Sequence, residues 1–165
     1  MNYGLTEQQE MIRDLCRQIA EEKLKPIRAY YDEANEFPRE ILKVFAQADL
    51  CGIYIEEKYG GMGGGVMDLT IAVEELSKVC SGIALSLAAT ALGTFPIILY
   101  GNEAQKQKYL PRIAKGESLA AFALTEPNAG SDAASIITSA TKDGDYYILN
   151  GTKQWITNGG EADIY

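Results

Sequence analysis

No histidine occurs anywhere in the 165 residues. That absence excludes a histidine-based triad, a histidine metal site and an imidazole acid–base pair within this chain. Cysteine is scarce. Cys16, Cys51 and Cys80 stand far apart, with no Cys-x-x-Cys spacing, and read as buried thiols of a reducing compartment rather than as a disulfide plus a free thiol; no metal site is expected. Basic charge is in deficit, with 15 Lys and Arg against 23 Asp and Glu and a net charge of −8, which argues against a nucleic acid or an anionic membrane as partner. No Gly-Lys-Ser/Thr occurs, and the cluster Gly60, Gly61, Gly63, Gly64, Gly65 has no G-x-G-x-x-G register, because Val66 falls where the last glycine should be. The expectation there is a flexible connection, not a nucleotide loop. Met1 to Thr6 lacks a charged, apolar, cleavable leader, so the expected location is cytoplasmic.

With 47% hydrophobic and 23% charged residues, the composition is that of an ordinary globular protein, long enough for one core or for one domain and part of another. Thr6-Glu7-Gln8-Gln9 is a capping box. Met11, Ile12, Leu15, Cys16, Ile19 and Ala20 then recur at helical spacing, which predicts an amphipathic helix ending or kinking near Pro26. A second helix is expected from just after Phe37-Pro38, through Ile41, Leu42 and Phe45, to a stop at Cys51-Gly52. A third spans Val66 to Val79, and a fourth Ser81 to Tyr100, interrupted by Gly93 and Pro96. From Val79 to Asn102 no residue is charged, which raises the question of a membrane span. Ser81, Ser86, Thr90 and Thr94, with glycine, proline and many alanines, favour instead a helix buried among other helices, and no span is expected. Asn102-Glu103 opens a fifth helix that Gly116 stops. Its Lys106, Lys108, Arg112 and Lys115 read as a solvated face rather than a phosphate contact.

After Ser118 the period changes. Leu119–Thr125 is a continuous apolar run like a buried strand, and Ile137–Thr141 and Asp145–Leu149 flank Asp143-Gly144, a hairpin signal. Asn150-Gly151 turns into an expected strand at Thr152–Thr157; Asn158-Gly159-Gly160 turns again, and Ala162–Tyr165 starts another strand. The fold class is therefore α+β: an all-α N-terminal helical domain over residues 1–117, followed over 118–165 by the first strands of an antiparallel β-domain, incomplete in itself. Either the chain is an excerpt of a longer protein or its strands borrow a partner.

Phe122-Ala123-Leu124-Thr125-Glu126-Pro127-Asn128-Ala129-Gly130-Ser131-Asp132 reads as a strand that stops at proline and turns. Its small residues let a ligand approach the backbone. Taken alone, the turn needs no ligand, and Trp155 alone reads as a core aromatic. Together, Ala123-Leu124-Thr125-Glu126-x-x-Ala129-Gly130-Ser131-Asp132-x-x-Ser135 and, downstream, Trp155-Ile156-Thr157 resemble the two flavin-contacting segments of the acyl-CoA dehydrogenase family. The helices upstream resemble that family's N-terminal part, so the likeness covers essentially the whole chain but only the front half of a typical member.

The resemblance implies FAD as cofactor, an acyl-CoA thioester as substrate and electron-transfer flavoprotein as electron acceptor. The implied reaction is α,β-dehydrogenation, as in fatty acid β-oxidation, by a homotetramer or homodimer when complete. It places Phe122, Leu124, Thr125, Gly130, Ser131, Trp155, Ile156 and Thr157 at the flavin, with Ser131 also meeting the CoA part of the substrate and the Thr157 hydroxyl offered to N5. The family's catalytic glutamate lies beyond residue 165, so no catalytic residue is assigned here. Glu126 and Asp132 read as turn-stabilising carboxylates. The competing expectations are a flavin oxidase or monooxygenase on the same scaffold, and a non-catalytic helical fragment binding acyl-CoA or a partner.

Overall fold

The computed structural model describes residues 4–165. The leader reading of Met1 to Thr6 therefore falls in part outside the described residues. Helix α1, Glu7–Ile19, starts on the expected box: the Thr6 hydroxyl accepts the Gln9 amide at 3.2 Å and the Gln9 side chain accepts the Thr6 amide at 3.1 Å. Ile12, Cys16 and Ile19 face inward. The chain then winds one π turn over Ala20–Leu24, with both end residues buried, before Pro26 ends it. The wider turn adds a residue without rotating Leu24 off the core.

A short helix α2, Arg28–Ala34, was not expected. None of its residues is buried, so it carries no apolar stripe for a sequence reading to detect. Helix α3, Arg39–Gln47, buries Ile41, Leu42 and Phe45. It stops before the expected Cys51-Gly52, because Asp49 takes a left-handed conformation at φ 57°, which Asp tolerates better than most residues. Leu50–Gly52 is only a 3₁₀ turn.

The glycine cluster is not the flexible connection the sequence suggested. Met62, Gly63 and Gly64 donate their amides to the carbonyls of Gly52, Ile55 and Ile53 at 2.9, 2.8 and 2.9 Å. A Cβ on Gly61 would sit 2.0 Å from the Ile55 carbonyl oxygen. Glycine there permits close backbone packing, not motion.

Helix α4, Val66–Tyr100, contains the two expected helices, meeting at Cys80, whose φ −153° and ψ 104° break the helical run. Gly93 and Pro96 do not interrupt it, contrary to expectation; the Gly101 amide still reaches the Ile97 carbonyl at 2.9 Å. By length and composition α4 could cross a membrane, and half of its most apolar window is buried inside the protein. The expected all-round burial is only partial: Ile83, Leu87 and Ala91 are covered, while Leu85, Leu92 and Leu99 are exposed. Helix α5, Glu103–Ala114, is capped by Asn102 and ends as expected at Gly116, φ 67°. The Glu117 amide bonds the Arg112 carbonyl and the Gly116 amide that of Ile113, a Schellman stop.

The core has two parts. One gathers α1, α3 and α4 around Leu24, Phe45, Leu76 and Leu87. The other joins α5 to the glycine-loop region through Tyr54, Tyr59, Leu110 and Ile113.

Beyond residue 117 the expected run of strands is largely unmade. One antiparallel hairpin forms, β1 (Ser139–Asp143) with β2 (Tyr146–Asn150), in the register Asp143↔Tyr146. It lies one to two residues beyond the expected position, with Gly144 at φ 59° opening the Gly144-Asp145 turn. Leu119–Thr125, Thr152–Thr157 and Ala162–Tyr165 form no strands; Ala120 and Ile164 share a single bridge, and it is parallel. A strand is defined by its partner, and among the described residues these segments have none along their length.

Candidate functional site

Gly93 lets residues 119–121 lie against α4: a Cβ there would be 2.7 Å from the Ala121 nitrogen. From the other side the Ala121 amide bonds the Ile164 carbonyl, and the Asp163 and Ile164 amides bond that of Leu119. Asn158, left-handed at φ 64° and 6% exposed, supplies the third tie. Its side-chain nitrogen donates to the Ser86 carbonyl at 3.0 Å, the Thr90 hydroxyl at 3.1 Å and the Ala120 carbonyl at 3.3 Å.

Past Ala121 the segment surfaces. Phe122 and Leu124 are exposed and alternate with half-buried Ala123 and Thr125. Glu126 then dives to 4% exposure. Its backbone closes the Pro127-Asn128 turn with Ala129, at 3.0 and 3.1 Å. Its carboxylate, expected to stabilise that turn, does something else. It accepts the Ile137 amide at 2.8 Å, the Thr138 amide at 3.0 Å and the Lys153 ammonium at 2.9 Å. These donors hold its pKa down to about 2, the Ile137 amide most of all, with Thr138 and Lys153 behind it. Asp132 keeps to its own turn, bonded by Ser135.

Lys153 also donates to the Leu124 carbonyl at 2.8 Å, and the Gln154 amide to the Thr125 carbonyl at 2.9 Å. The segments 122–126 and 153–157 thus lie side by side although 27 residues separate Glu126 from Lys153. Trp155 follows in a left-handed conformation, φ 60°, and is 83% exposed. Trp155, Ile156, Ala123 and Lys153 are among the walls of a cleft of about 560 Å³.

The two parts of the chain match, in order, two family models: "Acyl-CoA dehydrogenase, N-terminal domain" over residues 6–117 and "Acyl-CoA dehydrogenase, middle domain" over residues 121–165. The chain belongs to the acyl-CoA dehydrogenase family. It is 48% identical over 167 aligned positions to the short-chain-specific acyl-CoA dehydrogenase of Clostridium acetobutylicum, covering 100% of this chain and 44% of that one. Among solved structures it resembles butyryl-CoA dehydrogenase of Megasphaera elsdenii, with TM-score 0.92 and 43% identity over 99% of this chain and 44% of that one. It also resembles a chain in a structure described as the electron transferring flavoprotein of Acidaminococcus fermentans, with TM-score 0.95 and 48% identity over 99% of this chain and 43% of that one. The chain thus spans less than half the length of the relatives it matches.

Of the residues the family resemblance singled out, Leu124 and Thr125 are tied through their carbonyls to Lys153 and Gln154, the two residues that lead into Trp155-Ile156-Thr157. Trp155 and Ile156 wall the cleft with Ala123, whereas Thr157 lines a different one beside Ser86 and Asn158, and Phe122 is exposed next to Ala123. Gly130 and Ser131 lie on the exposed turn just after Glu126, and nothing stands within 4 Å of a Cβ built on Gly130. The surroundings suit a flat aromatic cofactor that carries phosphate. A large indole and two apolar side chains stand uncovered, Thr157 is exposed, and the open turn at Gly130 leaves room for a phosphate. Sequence reasoning missed Lys153 and Asn158. No local pattern marks either one: Lys153 falls within the expected strand Thr152–Thr157, and Asn158 opens the Asn-Gly-Gly turn.

Proposed function

We propose that this chain is the N-terminal portion of a flavin-dependent acyl-CoA dehydrogenase. The reading is supported above all by the two motif segments, which a hairpin separates in sequence and which lie side by side. In the proposed roles Phe122, Leu124 and Ile156 give apolar cover to FAD, Thr125 and Thr157 offer hydroxyls to its polar edge, and Trp155 flanks the ring. Gly130 and Ser131 admit the phosphate, with Ser131 shared by the CoA portion of the substrate. Bound FAD would accept the hydride that leaves the acyl β-carbon as the α,β bond becomes double. The polypeptide's part is to seat the ring, keep water from its face and orient the thioester.

No carboxylate of this chain is proposed as the base that removes the α-proton. Glu126 is the buried carboxylate nearest the motif, and with its three donors and a pKa of about 2 it is a poor proton acceptor. Residues 1–117 are proposed as the helical domain and 118–165 as the start of the flavin-bearing β-domain. Further proposals are an electron-transferring flavoprotein as acceptor, a homotetramer or homodimer as the working form, a role in fatty acid β-oxidation, a cytoplasmic location, and α4 as a core helix and not a membrane span.

The test uses the full gene product, purified with its flavin. Butyryl-CoA added without oxygen should bleach the flavin absorbance and yield the 2-enoyl thioester. A protein without flavin would overturn the reading in favour of a non-catalytic module. Fast oxygen consumption by the reduced protein would move it to a flavin oxidase or monooxygenase.

A further inference from the structure

Glu126 and Lys153 are the least expected pair in the site. Each of the three groups that donate to the Glu126 carboxylate comes from outside its own turn: Ile137 and Thr138 lead into the hairpin, and Lys153 follows it. The carboxylate therefore holds both roots of β1 and β2 at one point. The Lys153 ammonium bridges this carboxylate and the Leu124 carbonyl, and so ties the segment before the turn to the segment that carries Trp155. The side chains of this ion pair are 24% and 3% exposed for Lys153 and Glu126. A surface ion pair is worth little, but one this deep is held by geometry and expensive to break on one side.

We propose that Glu126 and Lys153 act as a positioning pair that sets the spacing of the two flavin-facing segments, and that their paired charges tune the bound flavin's reduction potential. This rests on the flavin reading above. Neither residue is a catalytic residue; each acts through Leu124, Thr125 and the Trp155 segment. The charges lie only one carbonyl away from a proposed flavin contact. An unpaired charge there would act on the bound flavin's electronics, and less so at high salt. Removing Lys153 leaves a bare carboxylate, which disfavours the electron-rich reduced flavin. Removing the charge of Glu126 leaves a bare ammonium, which favours it.

The experiment measures flavin dissociation constant and reduction potential on the full-length flavoprotein and its variants Glu126→Gln, Lys153→Met and the double variant. Each single variant should weaken flavin binding at least tenfold. The double variant should be no weaker than the worse single one, as expected for residues acting as a unit. The potential should fall in Lys153→Met, rise in Glu126→Gln and lie between them in the double variant. A purely structural role would loosen the flavin without shifts of opposite sign. Should a single variant fail to fold, Glu126→Asp and Lys153→Arg keep the charges and move the atoms; weakened binding there supports the positioning role, and the sign of the potential shift is read from the single variant that folds and from the double variant. Unchanged binding, or potentials shifting in the same direction, overturns it. A wild-type protein that binds no flavin overturns the functional reading and this inference together, whereas a normal wild type with unaffected variants overturns only the inference.

Discussion

Phe45 and Leu149 are both large apolar side chains in regular elements, yet Phe45 is wholly buried and Leu149 is 71% exposed. The contrast extends to their regions. Helices α1, α3, α4 and α5 bond their own backbones and need one another only to cover their apolar faces. Strands β1 and β2 pair with each other and leave the outer edge of each open, and every residue of the hairpin is exposed. A helix closes its hydrogen bonds within itself, while a strand must find them on another strand. Residues 118–165 are therefore held not by their own sheet but against the helices, through the Asn158 side chain, the close approach of residues 120–121 to α4 at Gly93 and the Arg39–Glu161 ion pair.

The sharpest break in that contrast is Phe45→Ala, which removes a fully buried ring from the meeting of α1, α3 and α4. It should cost about 3–5 kcal/mol, read as a lower urea midpoint. A smaller effect is expected at the seam between the regions. Gly93→Ala would force a Cβ to 2.7 Å from the Ala121 nitrogen and 2.9 Å from the Ala120 carbonyl carbon. Overpacking of this kind costs about 1–3 kcal/mol, and hydrogen exchange should show amides of residues 119–121 loosening before those of α1. Asn158→Ala should cost about 1–2 kcal/mol by the same measurement, since it strips a donor from Thr90 and from two carbonyls.

Acid probes a tie inside residues 118–165, where the Glu126 carboxylate accepts from Ile137, Thr138 and Lys153. The Glu126 carboxyl is held at about 2 in the folded chain, below its unfolded value of about 4.3. A depressed carboxylate contributes stability that is fully present above the unfolded value and is lost as pH falls through the folded one. The urea midpoint of the wild type should therefore drop between about pH 4.5 and pH 2, and Glu126→Gln should flatten that part of the curve. An unaltered slope in the variant would remove Glu126 as its source.

How much of this was legible in the sequence follows the same division. The helical starts at Thr6 and Asn102, the Gly116 stop and the break between Val79 and Ser81 were all visible, because caps and 3.6-residue periods are local. Helix α2 was invisible because none of its residues is fully buried and only Tyr31 leans on the core, too little for an apolar period. Beyond Ser118 the hairpin was legible from its turn, and the other strands were overcalled, since alternation and β-branched residues signal a surface that suits a partner without supplying one. The candidate site was legible only as motifs. That 122–126 lies beside 153–157 depends on Glu126 and Lys153 meeting across a hairpin, and no spacing rule encodes that contact.

The smallest effect should come from the hairpin itself. Leu149→Ser and Tyr146→Ser change side chains that are 71% and 80% exposed, so in the 165-residue chain each should shift stability by no more than about 0.5 kcal/mol. Amides of β1 and β2 on the outer edges should exchange close to the unprotected rate, while those of α4 around Leu87 exchange only on global unfolding. If Leu149→Ser instead cost as much as a core substitution, the hairpin would be packed in solution, with another surface covering it. The contrast between a self-sufficient helical part and a dependent β part would then be one of missing neighbours and not of intrinsic stability. A longer chain that restores those neighbours decides between the two: there the same Leu149→Ser should become costly, while Phe45→Ala should cost what it costs here.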